Sequence, residues 1–210
     1  MANDKISKSV LQRLPIYLGY LKALPKDSPM NISATTIAQA LNLGEVQVRK
    51  DLASASSSGK PKIGYIVMDL IDELEIFLGY NKTVDAIIIG AGKLGTALLN
   101  YDGFTQYGLN IVAAFDNDYE KIRAAEWMKP IYHISELGKY LKDKEIKIGI
   151  ITVPSLHAQE AANLLTENGI QAIWNFAPIH LDVEKHILVQ NENMASSLAL
   201  LSNHLSGQRK

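Results

Sequence analysis

The sequence predicts an α/β chain in two parts, a small helix-turn-helix domain followed by a doubly wound parallel sheet. Three observations carry that expectation. A glycine-rich turn, Gly90-Ala-Gly-Lys-Leu-Gly95, comes directly after the apolar run Ala86 to Ile89. From that run as far as Val189, short apolar stretches alternate with helix-patterned ones, as strands and crossover helices do in parallel sheets. Ahead of it, two helical stretches are separated only by Asn42-Leu43-Gly44, a helix-turn-helix outline. The implied division is residues 1–80, 81–193 and a terminal helix over 194–210.

Composition bounds the function. Hydrophobic residues make up 47% of 210, so the chain folds around a core. It has no cysteine, which excludes disulfides, thiolate zinc sites and cysteine nucleophiles. His133, His157, His180, His186 and His204 show no metal-ligand spacing, so no metal is expected. The N-terminus leads into no apolar signal region, and no apolar stretch approaches the ~20 residues of a membrane span. A cytoplasmic protein with no membrane partner is expected. The net charge is −1, unevenly spread. Residues 1–66 hold nine Lys and Arg against four Asp and Glu, a local +5, and the remainder carries −6. That asymmetry points to a polyanion partner for the first part, with ordinary surface charge as the plain alternative.

In the first part, Val10 to Leu24 reads as a helix with Leu11, Leu14, Leu18 and Leu21 on one face. Pro15 inside it predicts a start or a kink there. Ser33 suits the N-cap of a second helix over Ala34 to Leu41. A third, Glu45 to Ala53, turns Val48 and Leu52 inward and Arg49 and Lys50 outward. The outward pair is the candidate for major-groove contact; many helical hairpins of this outline bind nothing. Ala53-Ser-Ala-Ser-Ser-Ser-Gly59 is small and polar, a flexible turn or one arm of a wing. Lys60 and Lys62 flank Pro61 beyond it and suit phosphate contact. Alternating Ile63, Tyr65 and Val67 predict a short strand, and Asp69 predicts the cap of a helix reaching Leu78. Gly79 to Lys82 serves as linker.

In the second part, Ala86 to Ile89 is too short for a buried helix and suits a strand covered on both faces. The glycines follow in G-x-G-x-x-G spacing and open a helix from Leu94 to Tyr101. Gly90 permits the tight turn, Gly92 the approach of a pyrophosphate and Gly95 the packing of helix on strand. Asp116 ends the next apolar run, Asn110 to Phe115, 21 residues past Gly95. That is close to the ~20-residue offset of an acid that binds a ribose. The pattern is that of a Rossmann dinucleotide site, with NADH and NAD+ as cofactors because Asp116 accepts from a free 2′-hydroxyl. Further on, Tyr119 to Trp127 reads as a helix, Pro130 to Tyr132 as a short strand and Ser135 as the cap of a helix reaching Leu141. Ile146 to Val153 reads as a strand, Ser155 to Asn168 as a helix closed by Gly169, and Ala172 to Asn175 and Ile187 to Val189 as the last strands. Ligands of such sheets bind beyond the carboxyl ends of the strands. The candidate cofactor residues on that edge are Gly90, Ala91, Gly92, Lys93, Leu94, Gly95, Asp116, Val153, Pro154, Asn175 and Phe176. The tail from Met194 to Leu205 spaces Leu198, Leu201 and Leu205 as one helical face, which packs on its own domain or on another subunit.

On particular residues the chain resembles the Rex family of redox-sensing transcriptional repressors, over nearly its whole length. The matching pieces are Arg13-Leu-Pro-Ile-Tyr17, Val48-Arg-Lys-Asp-Leu52, Gly64-Tyr65, the glycine loop, Leu99-Asn-Tyr101, Ala114-Phe-Asp116, Pro130-Ile-Tyr132 and Asn175-Phe-Ala-Pro178. The first three are foreign to Rossmann enzymes. The resemblance implies a homodimer whose winged-helix domains read operator DNA. It also implies that NADH binding releases the DNA and that the C-terminal helix swaps between subunits. A tyrosine, an arginine and an acid form a switch in the family; Tyr101 and Arg13 match, and Asn193 stands where the acid is usual. Two other departures stand out. Ala53 to Ser58 replaces an aromatic, glycine-rich stretch, which predicts a looser wing and weaker or altered DNA binding, unless the small residues let the third helix sit closer to DNA. Trp127-Met128 replaces a glycine pair.

Two other classes compete. A pyridine-nucleotide dehydrogenase needs a substrate domain and an acid/base near the nicotinamide. Only roughly 20 residues follow the last strand. His157, the one candidate base, reads better as a solvent-facing helix residue, so no enzyme activity is expected. A dinucleotide-binding dimer acting at another DNA site or through a protein partner is the other alternative.

Overall fold

The structure is a computed structural model that describes residues 6–118, 120 and 129–207. It forms two compact units, Met1–Lys82 and Thr83–Lys210.

In the first unit, α1 (Lys8–Lys22) starts at Ser7, whose hydroxyl accepts from the Val10 amide. It runs unbroken through Pro15, contrary to the expected start or kink. A proline removes one helical hydrogen bond, from the carbonyl four residues back, at a cost near ~3 kcal/mol. That carbonyl belongs to Leu11, which lies on the exposed side, so Leu11 is not part of the inward face as expected. Leu14, Tyr17, Leu18 and Leu21 are buried and hold the helix down. Strand β1 (Asn31–Ile32) leads into α2 (Ala34–Ala40), capped by Ser33 as expected, its hydroxyl 3.0 Å from the Thr36 amide. The turn after α2 uses Asn42 at φ 53°, a conformation asparagine tolerates. Helix α3 (Glu45–Ala55) buries Val48 and Leu52 and exposes Arg49 and Lys50.

The strand expected from alternation at 63–67 is only β2 (Tyr65–Ile66), antiparallel to β1. Ile63 is exposed and Val67 already begins α4 (Val67–Leu78). Asp69 therefore sits within the first turn of α4 and does not cap it. A two-residue pairing is too short for period-2 alternation to specify.

The second unit is a six-stranded, all-parallel sheet. Its strands are β3 (Val84–Ile89), β4 (Leu109–Asp116), β5 (Ile131–His133), β6 (Ile148–Ile151), β7 (Ala172–Asn175) and β8 (Leu188–Asn191). They lie in the order β5-β4-β3-β6-β7-β8. The chain winds outward from β3 through β5, then returns to the other side of β3. The point of reversal lies between β3 and β6, where such sheets open a crevice. Both faces are covered. Ile87, Ile89, Ala113, Phe115 and Ile151 pack with α6 (Leu137–Leu141) and α7 (Ser155–Glu167). Ala86, Ile88, Ala114 and Ile150 pack with Leu99 of α5 (Lys93–Leu99). The near-continuous apolar strands are the sequence trace of that double burial.

Ser135 does not cap α6: it lies in a 3-10 turn, Ile134–Glu136, and its amide is held by the His133 ring nitrogen. The helix expected over Tyr119 to Trp127 and the Trp127-Met128 departure lie outside the described residues. The last helix, α8 (Met194–Gly207), is present, and its leucine stripe does not pack on its own domain: Leu198, Leu201 and Leu205 are each more than 60% exposed.

Candidate functional site

The glycine turn gives its three glycines three geometries. Gly90 has φ 102°, and a Cβ there would lie 2.8 Å from Val153. Gly95 is in closest contact: a Cβ would sit 1.9 Å from the Gly90 carbonyl oxygen and 2.8 Å from the Thr152 hydroxyl. Gly92 faces open space, with nothing within 4 Å of an added Cβ. The loop thus packs tightly on both sides and leaves one bare stretch of backbone between.

That bare stretch opens on a cleft of about 640 Å³. It is walled by the ends of β3 (Ile89, Gly90), β4 (Phe115, Asp116) and β6 (Thr152, Val153, Pro154), with Ile134 and Leu164 as apolar sides. Asp116 is buried, and its carboxylate accepts from the Ala91 amide at 2.7 Å and the Asp118 amide at 2.9 Å. So Ala91 spends its N–H on Asp116 rather than on a phosphate. Asp116 stands at the carboxyl end of β4 on the cleft, where an acid accepts from a ribose hydroxyl in sheets of this kind.

Of the expected cofactor residues, Gly90, Gly92, Asp116, Val153 and Pro154 line the cleft. Ala91, Lys93, Leu94 and Gly95 do not; they build the loop and its helix. Asn175 and Phe176 do not line it either. Asn175 is fully buried, and its amide nitrogen donates to the Ala177 and Ile179 carbonyls and to Asn191 Oδ1. Phe176 packs tilted on Trp174 at 4.8 Å, which meets Phe104 edge-on, which meets Tyr101 edge-on at 4.9 Å. Trp174 also donates its indole N–H to Glu192 at 2.9 Å. Sequence reasoning missed Thr152, whose hydroxyl donates to the Gly90 carbonyl at 2.7 Å and so clamps the turn. His157 is exposed on α7 as expected, and together with Glu160, one helical turn on, it also borders the cleft. Among the described residues no three metal-ligating side chains cluster. No helix among them is long and apolar enough to cross a membrane.

The switch residues have local partners. Arg13 forms a two-pronged ion pair with Asp51 of α3, at 2.7 and 2.8 Å, and the Tyr17 hydroxyl donates to the same carboxylate at 2.7 Å. Burial alone would raise the Asp51 pKa, but hydrogen bonds from Arg13 and Tyr17 outweigh it and hold the carboxyl below its ordinary value. Burial first, then the Asp51 carboxylate, pushes the Tyr17 phenol up to about 12. The trio bolts α3 to α1, a role for Asp51 that spacing did not suggest. Tyr101, in the second unit, is 55% exposed. Asn193 accepts from the Ser196 amide at 3.2 Å and so caps α8.

On the first unit, Arg49, Lys60, Lys62, Ser33, Thr35 and Tyr65 border a hollow of about 470 Å³. Arg49 also pairs with Glu45 one turn back; Lys50 is exposed beside it on α3. Lys60 and Gly64 bond reciprocally at 2.9 Å, closing a tight hairpin over Pro61-Lys62-Ile63. Pro61 then Lys62 at φ 65°, with the Ile63 amide bonded to the Lys60 carbonyl, make a type II turn. That turn favours glycine where Lys62 stands, so a lysine is kept there at a conformational cost. Replacing it separates backbone from charge. Lys62→Gly should stabilise the first unit by about 1 kcal/mol, seen by thermal melting, while removing one cation from the hairpin tip. Unchanged or lower stability would rule out a strained turn.

The expected looseness of the approach to the wing is not what the chain builds. Ser56, Ser57 and Ser58 all donate to the Glu73 carboxylate of α4. The serines do by hydrogen bonding what aromatic bulk would do by packing.

The fold and site define a class: a helix-turn-helix unit with a short wing, joined to a nucleotide-binding parallel sheet. The comparisons narrow it. Residues 5–53 match the model of a putative DNA-binding protein N-terminus, and residues 81–179 match that of a CoA binding domain. The redox-sensing transcriptional repressor Rex of Treponema denticola is 46% identical over 202 residues, 96% of each chain. The chain belongs to the Rex family of redox-sensing transcriptional repressors. Among solved structures, RSP, a Rex-family repressor, in complex with β-NAD+ and operator DNA superposes with TM-score 0.89 at 33% identity, covering 97% of this chain and 94% of that one. The RSP complex with β-NADH gives TM-score 0.86 at 32% identity, covering 98% and 97%. These relatives are named as repressors, not enzymes, which removes the dehydrogenase reading.

Proposed function

We propose that this protein represses transcription in the cytoplasm by binding operator DNA, and releases it when NADH occupies the cleft of the second unit. The observation that carries the reading is the conjunction, in one chain, of the bare Gly92 backbone beside the Asp116 acid with a cation-lined hollow between wing and third helix. Gly90, Gly92, Asp116, Thr152, Val153 and Pro154 are the residues we assign to NADH or NAD+. Arg49 and Lys50 are assigned to base edges, Lys60 and Lys62 to phosphates. The uncovered leucine stripe of α8 supports a homodimer in which that helix packs on the second subunit. Arg13, Tyr101 and Asn193 are the proposed route between cofactor and DNA, needing a coupling of about 1–3 kcal/mol to be useful.

The test is selection of binding sites from a random DNA pool, with and without NADH. A single enriched motif, lost on adding NADH, is expected; no enrichment at moderate salt overturns the reading. Cofactor choice is testable separately. Asp116, the acid at the end of β4, would repel a 2′-phosphate, and Glu160 adds a second negative charge to the cleft lining. NADPH should bind about tenfold more weakly than NADH or worse, equivalent to ~1.4 kcal/mol or more. Calorimetry giving NADPH the tighter binding would reverse the assignment.

A further inference from the structure

Between α3 and the wing runs a three-serine arm with an unusual attachment. Ser56 and Ser58 donate their hydroxyls to one oxygen of Glu73, and Ser57 donates its hydroxyl and its amide to the other, at 3.1 and 3.3 Å. An ionised carboxylate only accepts, so all three hydroxyls must point at it. Burial works against the charge, yet the hydrogen bonds from Ser56, Ser58 and Ser57 outweigh it and hold the Glu73 carboxyl below its ordinary range. Past the serines, Gly59 lies against the Tyr65 ring, with 2.7 Å left where a Cβ would go. Gly64 presses on the Ile32 carbonyl at 2.3 Å by the same measure. The hairpin bearing Lys60 and Lys62 is therefore fixed at its far root by β1 and at its near root by Glu73 of α4 and the Tyr65 ring.

We propose that Glu73 is a positioning residue for DNA recognition: by clamping Ser56, Ser57 and Ser58 it fixes the wing lysines in register with Arg49 on α3. This rests on the reading that the first unit binds DNA. The mechanism is pre-organisation. A wing already held in place loses less freedom on docking, and that saving applies only to the complex in which wing and third helix engage together. Sequence-independent attraction to phosphates depends on the number of cations, which Glu73 does not alter.

The experiment compares Glu73→Gln with the parent and with Ser58→Ala, using the motif selected from the random pool and a scrambled duplex. Glu73→Gln keeps the size of the side chain but turns one acceptor into a donor. We expect it to weaken binding to the motif about tenfold, and to change scrambled-duplex binding, the salt slope and NADH affinity less than twofold. Ser58→Ala should weaken motif binding in the same direction, and the double variant should be no worse than Glu73→Gln, since both break one clamp. Motif binding by Glu73→Gln equal to the parent overturns the proposal. Equal losses on motif and scrambled duplex also overturn it, because a generally damaged unit would behave that way. If the parent selects no motif at all, the DNA-binding reading fails first and independently.

Discussion

Gly95→Ala is expected to abolish NADH binding and to destabilise the second unit by about 3 kcal/mol or more. The added methyl would lie 1.9 Å from the Gly90 carbonyl oxygen, which is backbone and cannot rotate away. The Thr152 hydroxyl blocks a second direction at 2.8 Å. Relief requires α5 to lift off β3, which opens the turn that Thr152 clamps and moves Gly92 out of line. Gly92→Ala is the matched control. Its methyl meets nothing within 4 Å, so the fold should persist and only nucleotide affinity should fall. Melting followed by tryptophan emission, with NADH titrations beside it, separates the two. A Gly95→Ala protein with parental stability and affinity would refute the packing argument; a Gly92→Ala protein with parental affinity would remove the backbone from the cofactor site.

Arg13→Ala should cost the first unit about 3 kcal/mol. Its partner Asp51 is 4% exposed, and without the guanidinium it would be left as a buried charge held only by Tyr17. Arg13→Ala combined with Asp51→Ala should recover part of the loss, because the unpaired charge goes with it. The pH dependence follows the same logic. The folded pKa of Asp51 is depressed, so its contribution is present above the unfolded value of roughly 4 and is lost as pH falls through that value toward the folded one. Tyr17 behaves oppositely. Its folded pKa is raised to about 12, so its contribution is full below the unfolded value near ~10 and fades as pH rises through the folded one. Arg13→Ala should flatten the acid limb of the stability profile. Both tryptophans lie in the second part of the sequence, so far-UV circular dichroism is the readout for the first unit. An acid limb identical to the parent's would show that Asp51 is not what titrates.

What was legible in the sequence was local. Glycine spacing after an apolar run fixes the turn because only bare backbone passes between β3, β6 and α5 there. The Asp116 offset follows from the length of one crossover. Pairings between distant residues left no trace: Asp51 lies 38 positions from Arg13, and Glu73 lies 15 to 17 from its serines. Composition even misled, since a run of small polar residues reads as slack until the acid that gathers it is known. Asn175 was placed in the site by its position at a strand end, yet its side chain turns inward to hold the following loop. His157 is exposed as its place on a helix surface suggested, but that it also borders the cleft depends on how α7 packs, which local pattern does not show.

The aromatic row Tyr101, Phe104, Trp174 and Phe176 has an optical consequence. Trp174 is packed at 5.6 Å from one ring and 4.8 Å from another, with its indole N–H on Glu192, two residues before α8 begins. An indole so confined has its emission colour set by those neighbours. With Trp127→Phe removing the second fluorophore, the wavelength of the remaining emission becomes a native, label-free gauge of whether the strand leading into α8 has moved.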